Sequence, residues 1–362
     1  MPQRQEFEEA SVSDNFVAET AARIFADLAD PQDITKARGD GWKAALWQAL
    51  SENGLTLAWV PEESGGVGAE LADGFAVLGV AGRYAVAVPL AETLLAGWLL
   101  SRAGLKSPEG AMSVAPARPG DTITLNADGT LSGRARGVPF AKEAQHLAVL
   151  AGEQNGFRVA LVETKACRVS DGTNLASEAS NTVTFDRVTP LAVAPAKGID
   201  QTALMLMGCV VRSVQTAGAL EAILDMTVRY ANERVAFERP IAKFQAVQHN
   251  LARLAGEVAA AMTAAHSAAD AIAHAEKFDD AIFLEATAAK IRSVEAAQEG
   301  AAIAHQVHGA IGFTNEHILH RYTLRMLAWR DDFGNESYWA AALGNKVAAR
   351  GVDEFWPLVA AR

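Results

Sequence analysis

Two stretches in the C-terminal half, Ala255 to His274 and Asp279 to His308, run on alanine-rich sequence with few residues that break a helix. Alanine has the highest helix propensity, and its short side chain lets one helix backbone come close to another. The helical pattern begins near Asp200 and continues towards the end of the chain. Long helices of this kind hide their apolar faces against one another, and a four-helix bundle is the natural product.

The texture upstream is different. Glu19 to Ala29 and Gly41 to Ser51 place Ile24, Phe25 and Leu28, then Trp42, Ala45, Leu46 and Leu50, at helical spacing. Pro61 and the cluster Gly65, Gly66 and Gly68 force a loop, and Pro89 to Ala103 returns to a helical pattern. From Ala111 to about Ala196 short β-type runs take over: Thr122 to Leu125, Leu147 to Leu150, Phe157 to Val162 and Asn181 to Phe185. Turn signals at Asn126 to Gly129, Gly152 to Gly156 and Asp171-Gly172 separate them, which predicts a small antiparallel β-domain or barrel. The expected class is α+β and mostly helical: an N-terminal helical domain over 1–110, a middle β-domain over 111–197 and a C-terminal four-helix bundle over 198–362.

Composition narrows the function. Half of the 362 residues are hydrophobic and 21% are charged, so the chain can bury a sizeable core. A net charge of −11 argues against non-specific nucleic-acid binding, which needs a basic surface. The first residues carry no apolar core segment, and runs such as Leu94 to Leu100 are too short for a bilayer. A cytoplasmic protein without a membrane span is the expectation, with Cys167 and Cys209 as buried thiols. The histidines His266, His274, His305 and His308 lack matched carboxylates in a paired Glu-x-x-His pattern, so no metal site is expected. Gly65 to Gly68 is no phosphate loop, because no Lys-Ser/Thr follows it.

Three motifs carry a resemblance. Val60-Pro61-Glu62-Glu63-Ser64-Gly65-Gly66 is similar to a Pro-Glu-x-x-Gly-Gly turn. The run from Tyr230 through Arg234, Phe237, Pro240 and Phe244 to Gln245 is similar to Tyr-x-x-x-Arg-x-x-Phe-Gly-x-Pro-Ile-x-x-Phe-Gln. Gln306 to Thr314 is similar to Gln-x-x-Gly-Gly-x-Gly-Phe-Thr, with Ala310 at the second glycine. With the order helices, β-domain, bundle, these motifs make the chain resemble the acyl-CoA dehydrogenase family over nearly its whole length.

The resemblance implies FAD and an α,β-desaturation of an acyl-CoA thioester. Arg234 would offer a guanidinium fork to a pyrophosphate, Phe237 an apolar face and Gln245 an amide. Gln306, Gly309 and Ala310 would let backbone approach the adenosine. Taken alone, Arg234 reads equally well as a helix-surface ion pair; the motif around it favours the cofactor.

The family's chemistry needs a carboxylate base. One family position for it falls on Phe333. The other precedes a fixed arginine, here Arg212, and falls on Val211. Arg212 itself is a candidate substrate contact. Asp332 is the nearest carboxylate, with pairing to Arg330 or Arg325 as its simpler role. On the flavin-ring side, Met112 to Asp121 and Gly137 to Ala141 lack the family's Thr-Glu-Pro-x-x-Gly-Ser-Asp and Trp-Ile-Thr patterns, and Pro139 removes a backbone donor.

In the family the dinucleotide crosses a subunit interface. This chain keeps the motifs that act on a neighbour's FAD and lacks those that act on its own. The resemblance therefore implies the non-catalytic member of a hetero-oligomer, such as a heterotetramer. It is similar to the paired subunits of bacterial steroid side-chain degradation, with electron-transferring flavoprotein as acceptor. Two alternatives stay open: a self-sufficient homo-oligomeric enzyme using Asp332, and a structural homologue without flavin.

Overall fold

The computed structural model describes residues 3–37 and 39–360. Helices α1 (Gln3–Leu28), α2 (Pro31–Lys36), α3 (Gly41–Glu52), α4 (Leu71–Arg83) and α5 (Leu90–Ala103) open the chain. The expected periodicity is realised in α1 and α3, where Ile24, Phe25, Leu46 and Leu50 are buried. Ala45 faces solvent instead, and Trp47 packs against the core. The start of α2 is fixed by Asp30, whose carboxylate accepts the N–H groups of Gln32 and Asp33, with Pro31 at the first helical position. Every residue of α5 from Leu90 to Leu100 is buried, because this helix lies between β-strands and α-helices.

The middle of the chain forms β1 (Met112–Ala115), β2 (Thr122–Leu125), β3 (Leu131–Pro139), β4 (His146–Glu153), β5 (Gly156–Glu163), β6 (Arg168–Ser170), β7 (Ser180–Val188) and β8 (Ala192–Pro195). They make one sheet in the order β6-β7-β3-β2-β4-β5-β8, with β1 on β4. The sheet is mixed rather than purely antiparallel. β1 runs parallel to β4, from Met112 opposite His146 to Ala115 opposite Val149, and β2 meets β4 in parallel at Thr124 and Gly152. Parallel strands need a long crossover, which the β2–β3 hairpin supplies between β1 and β4.

The C-terminal region consists of α6 (Gln201–Glu233), a hairpin of β9 (Val235–Ala236) and β10 (Arg239–Pro240), then α7 (Gln245–Ala273), α8 (Asp280–His308), α9 (Leu319–Trp329), α10 (Glu336–Arg350) and α11 (Phe355–Ala360). Helices α6, α7 and α8 pack on one another, α10 lies on α8, and α9 lies on both α6 and α8. Helix α4 also presses against α6. A Cβ added at Gly218 would sit 2.0 Å from the Gly79 carbonyl oxygen, so the two backbones touch. That double packing buries α6 continuously from Ala203 to Leu220. By length and composition α6 is apolar enough to cross a membrane, which the sequence reading did not expect of any segment. Its apolar window is wholly buried in the chain's own core. Cys209 lies inside this core and burial pushes its thiol up to about 12, while half-buried Cys167 is pushed up to about 11.

Candidate functional site

Arg234 caps the C-terminal end of α6. Its N–H donates to the Tyr230 carbonyl at 2.8 Å, and its own carbonyl accepts from Ile241 at 2.8 Å. These two bonds hold the backbone of the residue that precedes the hairpin on both sides and leave the guanidinium exposed. It makes no ion pair among the described residues, so the ordinary surface-pair reading has no support here. Phe237 and Glu238 form the turn of the β9–β10 hairpin, with φ of 51° and 64°. Two consecutive positive φ values are the geometry of a two-residue hairpin turn, normally filled by Asn-Gly. Glu238 stands where the family motif has glycine. Phe237 is 89% exposed, with only an edge contact to Phe244 at 6.2 Å between ring centres. Arg239 lies 4.2 Å above the Phe244 ring, and Gln245 opens α7 on the surface.

The third motif closes α8. Gln306, Gly309 and Ala310 are exposed and line an open groove of about 690 Å³, with His305, Phe313 and Arg330. The two motifs meet at their bases. The Tyr230 ring stacks on His308 at 4.5 Å, and its hydroxyl donates to the His308 carbonyl at 3.2 Å. What the chain presents here is a guanidinium and amides without a hydrogen bond or ion pair among the described residues, and a largely bare aromatic ring.

The two positions to which the sequence resemblance assigns the base are the reverse of this. Val211 and Phe333 are each 1% exposed. Phe333 has φ of 58°, and its ring lies flat on α6: a Cβ at Gly208 would come within 2.3 Å of it. Its N–H donates to the Ala117 carbonyl at 3.0 Å, and its carbonyl accepts the Trp339 indole N–H at 3.0 Å.

Beside it, Arg212 is turned wholly to partners inside the chain. Its guanidinium donates to Glu92 at 2.5 Å, to Asp332 at 2.9 Å and to Gln215 at 2.6 Å. It also lies 5.8 Å from the Trp329 ring centre and 6.0 Å from that of Phe333. Lys290, 1% exposed, donates to the carbonyls of Trp329 and Asp332 at 2.8 and 2.9 Å. Two basic and two acidic side chains thus meet in the interior, and burial pushes the Lys290 amine down. Burial pushes the Glu92 and Asp332 carboxyls up, and Arg212 pulls them back. Burial works against the charge on Arg212, but the two carboxylates hold its pKa above the ordinary value. Removing one partner from such a set costs about 3–5 kcal/mol, because the others are left charged and dry.

This corrects the role expected for Asp332. Arg325 pairs with Glu178 at 2.6 Å and Arg330 with Asp331 at 3.3 Å, leaving Asp332 to Arg212. Arg212, the candidate substrate contact, is 3% exposed with its donors taken up inside the chain. Glu92 and Lys290 were not singled out from sequence, although each is a charged residue in an otherwise apolar or alanine-rich helical run.

Comparison with known proteins decides the family. Residues 199–336 match the family model described as acyl-CoA dehydrogenase, C-terminal domain. Acyl-CoA dehydrogenase IpdE2 of Mycobacterium tuberculosis is 30% identical over 310 residues, covering 85% of this chain and 88% of its own. The chain belongs to the acyl-CoA dehydrogenase family. As an acyl-CoA dehydrogenase homologue it superposes on a chain of a variant of the steroid ACAD Tcur3481-Tcur3483 with a TM-score of 0.82. The identity is 25%, and the match covers 94% of this chain and 98% of that one. A chain of the ChsE4-ChsE5 complex from Mycobacterium tuberculosis shares the fold with a TM-score of 0.81 at 23% identity, over 92% and 97% of the two chains.

FAD is the cofactor that membership implies, and the residues fit it in part. Arg234 and the Gln306 groove are open to a pyrophosphate and an adenosine. The flavin-ring side does not match: the Pro139 carbonyl accepts from Ser113 at 2.6 Å, and Phe140 follows with φ of 52°.

Proposed function

We propose that this chain is the non-catalytic subunit of a hetero-oligomeric acyl-CoA dehydrogenase. It gives Arg234, Phe237, Gln245 and the Gln306–Ala310 groove to the FAD of a homologous partner. One observation supports the reading: Phe333, where the motif resemblance would put the base, packs on Gly208 beside the buried Glu92–Arg212–Asp332–Lys290 set, while Arg234, Gln245 and Gln306 are exposed and make no side-chain ion pair or hydrogen bond among the described residues. The likeness to IpdE2 supports the family, and the likeness to chains of Tcur3481-Tcur3483 and of the ChsE4-ChsE5 complex supports a paired subunit.

When bound, FAD supplies the hydride acceptor for desaturation. The work of this chain is placement. Arg234 neutralises diphosphate charge in a fixed orientation, which a planar fork does better than a point charge. The Gln306 amide and the bare backbone at Gly309 accept and donate along the adenosine. The base, the flavin-ring pocket and the acyl-CoA pocket belong to the partner, and electron-transferring flavoprotein is the acceptor. A chain without its own acyl pocket leaves room for a bulky polycyclic acyl group beside it. Co-purification with the homologous subunit, followed by flavin counting, tests this. About one FAD per two chains is expected if two chains share each site. Stoichiometric FAD and acyl-CoA dehydrogenation by this chain alone would refute it.

A further inference from the structure

The exposed motifs sit at the ends of two helices that are far apart in the chain. Arg234 follows α6, while Gln306 and Gly309 close α8. The last turn of a helix has carbonyls without intrahelical partners, so it frays unless something outside the helix holds it. Tyr230 touches both ends. Its backbone carbonyl accepts the Arg234 N–H at 2.8 Å, the last bond of α6. Its ring lies on the His308 ring at 4.5 Å between centres and 24° between planes. Its hydroxyl donates to the His308 carbonyl, the group that immediately precedes Gly309.

His308 passes that hold onward. Its Nδ1 lies 2.8 Å from the Ala304 carbonyl, which can only accept, so Nδ1 carries the proton and the ring orientation is fixed. Burial pushes its pKa down to about 4, so the ring stacked on Tyr230 is neutral. The turn Gly309–Phe313 folds back on it, since a Cβ added at Gly312 would lie 3.0 Å from the His308 Cβ. His317 closes a further side edge-on, at 4.7 Å between ring centres. Ring pairs at such distances prefer particular geometries, so the stack sets an orientation as well as a distance.

We propose that Tyr230 is a positioning residue for the cofactor. Through its stack on His308 it sets the separation and orientation between Arg234 and the Gln306–Ala310 groove, so that the two bind one dinucleotide as a unit. The role rests on the shared-FAD reading. Contacts held in register before binding lose less entropy than contacts on two independently moving segments, and their effects on affinity are then coupled. Packing alone makes no such prediction, because Tyr230 would then add to stability like any other member of its apolar cluster.

FAD titration of the assembled complex, stripped of flavin, tests this, with melting temperatures taken on the same samples. Arg234→Ala and Gln306→Ala each weaken FAD, and together they weaken it at least about threefold less than the product of the two effects. In Tyr230→Leu, FAD binds about tenfold more weakly and the two alanine effects simply multiply. His308→Gln, which removes the stack from its other side, repeats that result. Tyr230→Phe keeps the stack and stays within about threefold of wild type with the coupling intact. Val258→Ala truncates the same apolar cluster away from both motifs; it lowers the melting temperature and leaves FAD affinity and coupling as in wild type. Unchanged FAD affinity in Tyr230→Leu, or coupling that survives it, while Arg234→Ala still weakens binding, would overturn the positioning role and leave the shared-FAD reading standing. A loss in Val258→Ala equal to that in Tyr230→Leu would overturn it too, as an effect of stability alone. No effect of either Arg234→Ala or Gln306→Ala would overturn the shared-FAD reading itself, and the role of Tyr230 with it.

Discussion

Asp332 shows how a residue's neighbours outrank its type. A carboxylate next to the family's base position invites a catalytic reading, yet this one is 16% exposed and held by Arg212, with Lys290 on its carbonyl. Asp332→Asn in the assembled complex is expected to leave turnover within about twofold while lowering stability by about 3 kcal/mol, since Arg212 loses half its countercharge. Steady-state assay and urea unfolding read the two effects separately. His308 makes a second case. It is 3% exposed, and burial pushes its pKa down to about 4. The unfolded chain therefore takes up the proton first, near pH 6.5. The stability that neutral His308 contributes is whole above that value and is lost as pH falls towards 4, by up to about 3 kcal/mol. Unfolding midpoints across that window should fall with pH, and His308→Gln should flatten the slope.

Among the elements, the β9–β10 hairpin concentrates strain beside an exposed motif. Glu238 at φ of 64° occupies a conformation that favours glycine. Glu238→Gly is expected to stabilise the chain by about 0.5–1 kcal/mol despite the entropy glycine adds to the unfolded state. A raised urea midpoint with unchanged m-value would show it. Strand β3 makes the opposite point about legibility. Gly133, Gly137 and Pro139 are poor strand formers, and no β-run is visible over Leu131 to Pro139. The strand exists because β2 and β7 pair with it on both sides. The long helices needed no such help, since alanine and regular apolar spacing are local signals.

At the scale of the whole molecule, Val211 and Phe333 are closed into the core, while Arg234, Phe237, Gln245 and Gln306 stand at the surface. Function and folding should therefore separate under mutation. Arg234→Ala with Gln306→Ala is expected to change stability by no more than about 0.5 kcal/mol each, as exposed side chains do. The same pair should reduce FAD retained by the assembled complex at least about tenfold, the cost of one lost charge-assisted contact. Flavin absorbance after gel filtration, beside a thermal melt, reads both.

By itself the sequence determined the helical and β textures, the three motifs, and the absence of a carboxylate at Val211 and Phe333. These are local patterns or single positions, and each follows from propensity, spacing or side-chain chemistry. Only the tertiary structure decided that β1 pairs in parallel with β4 and that Arg212 spends its donors on Glu92, Gln215 and Asp332. Those outcomes join residues up to 120 positions apart, as in Glu92 with Arg212 and Arg212 with Asp332. Pairing over such distances depends on which helices pack together, and burial then decides which charges must find a partner.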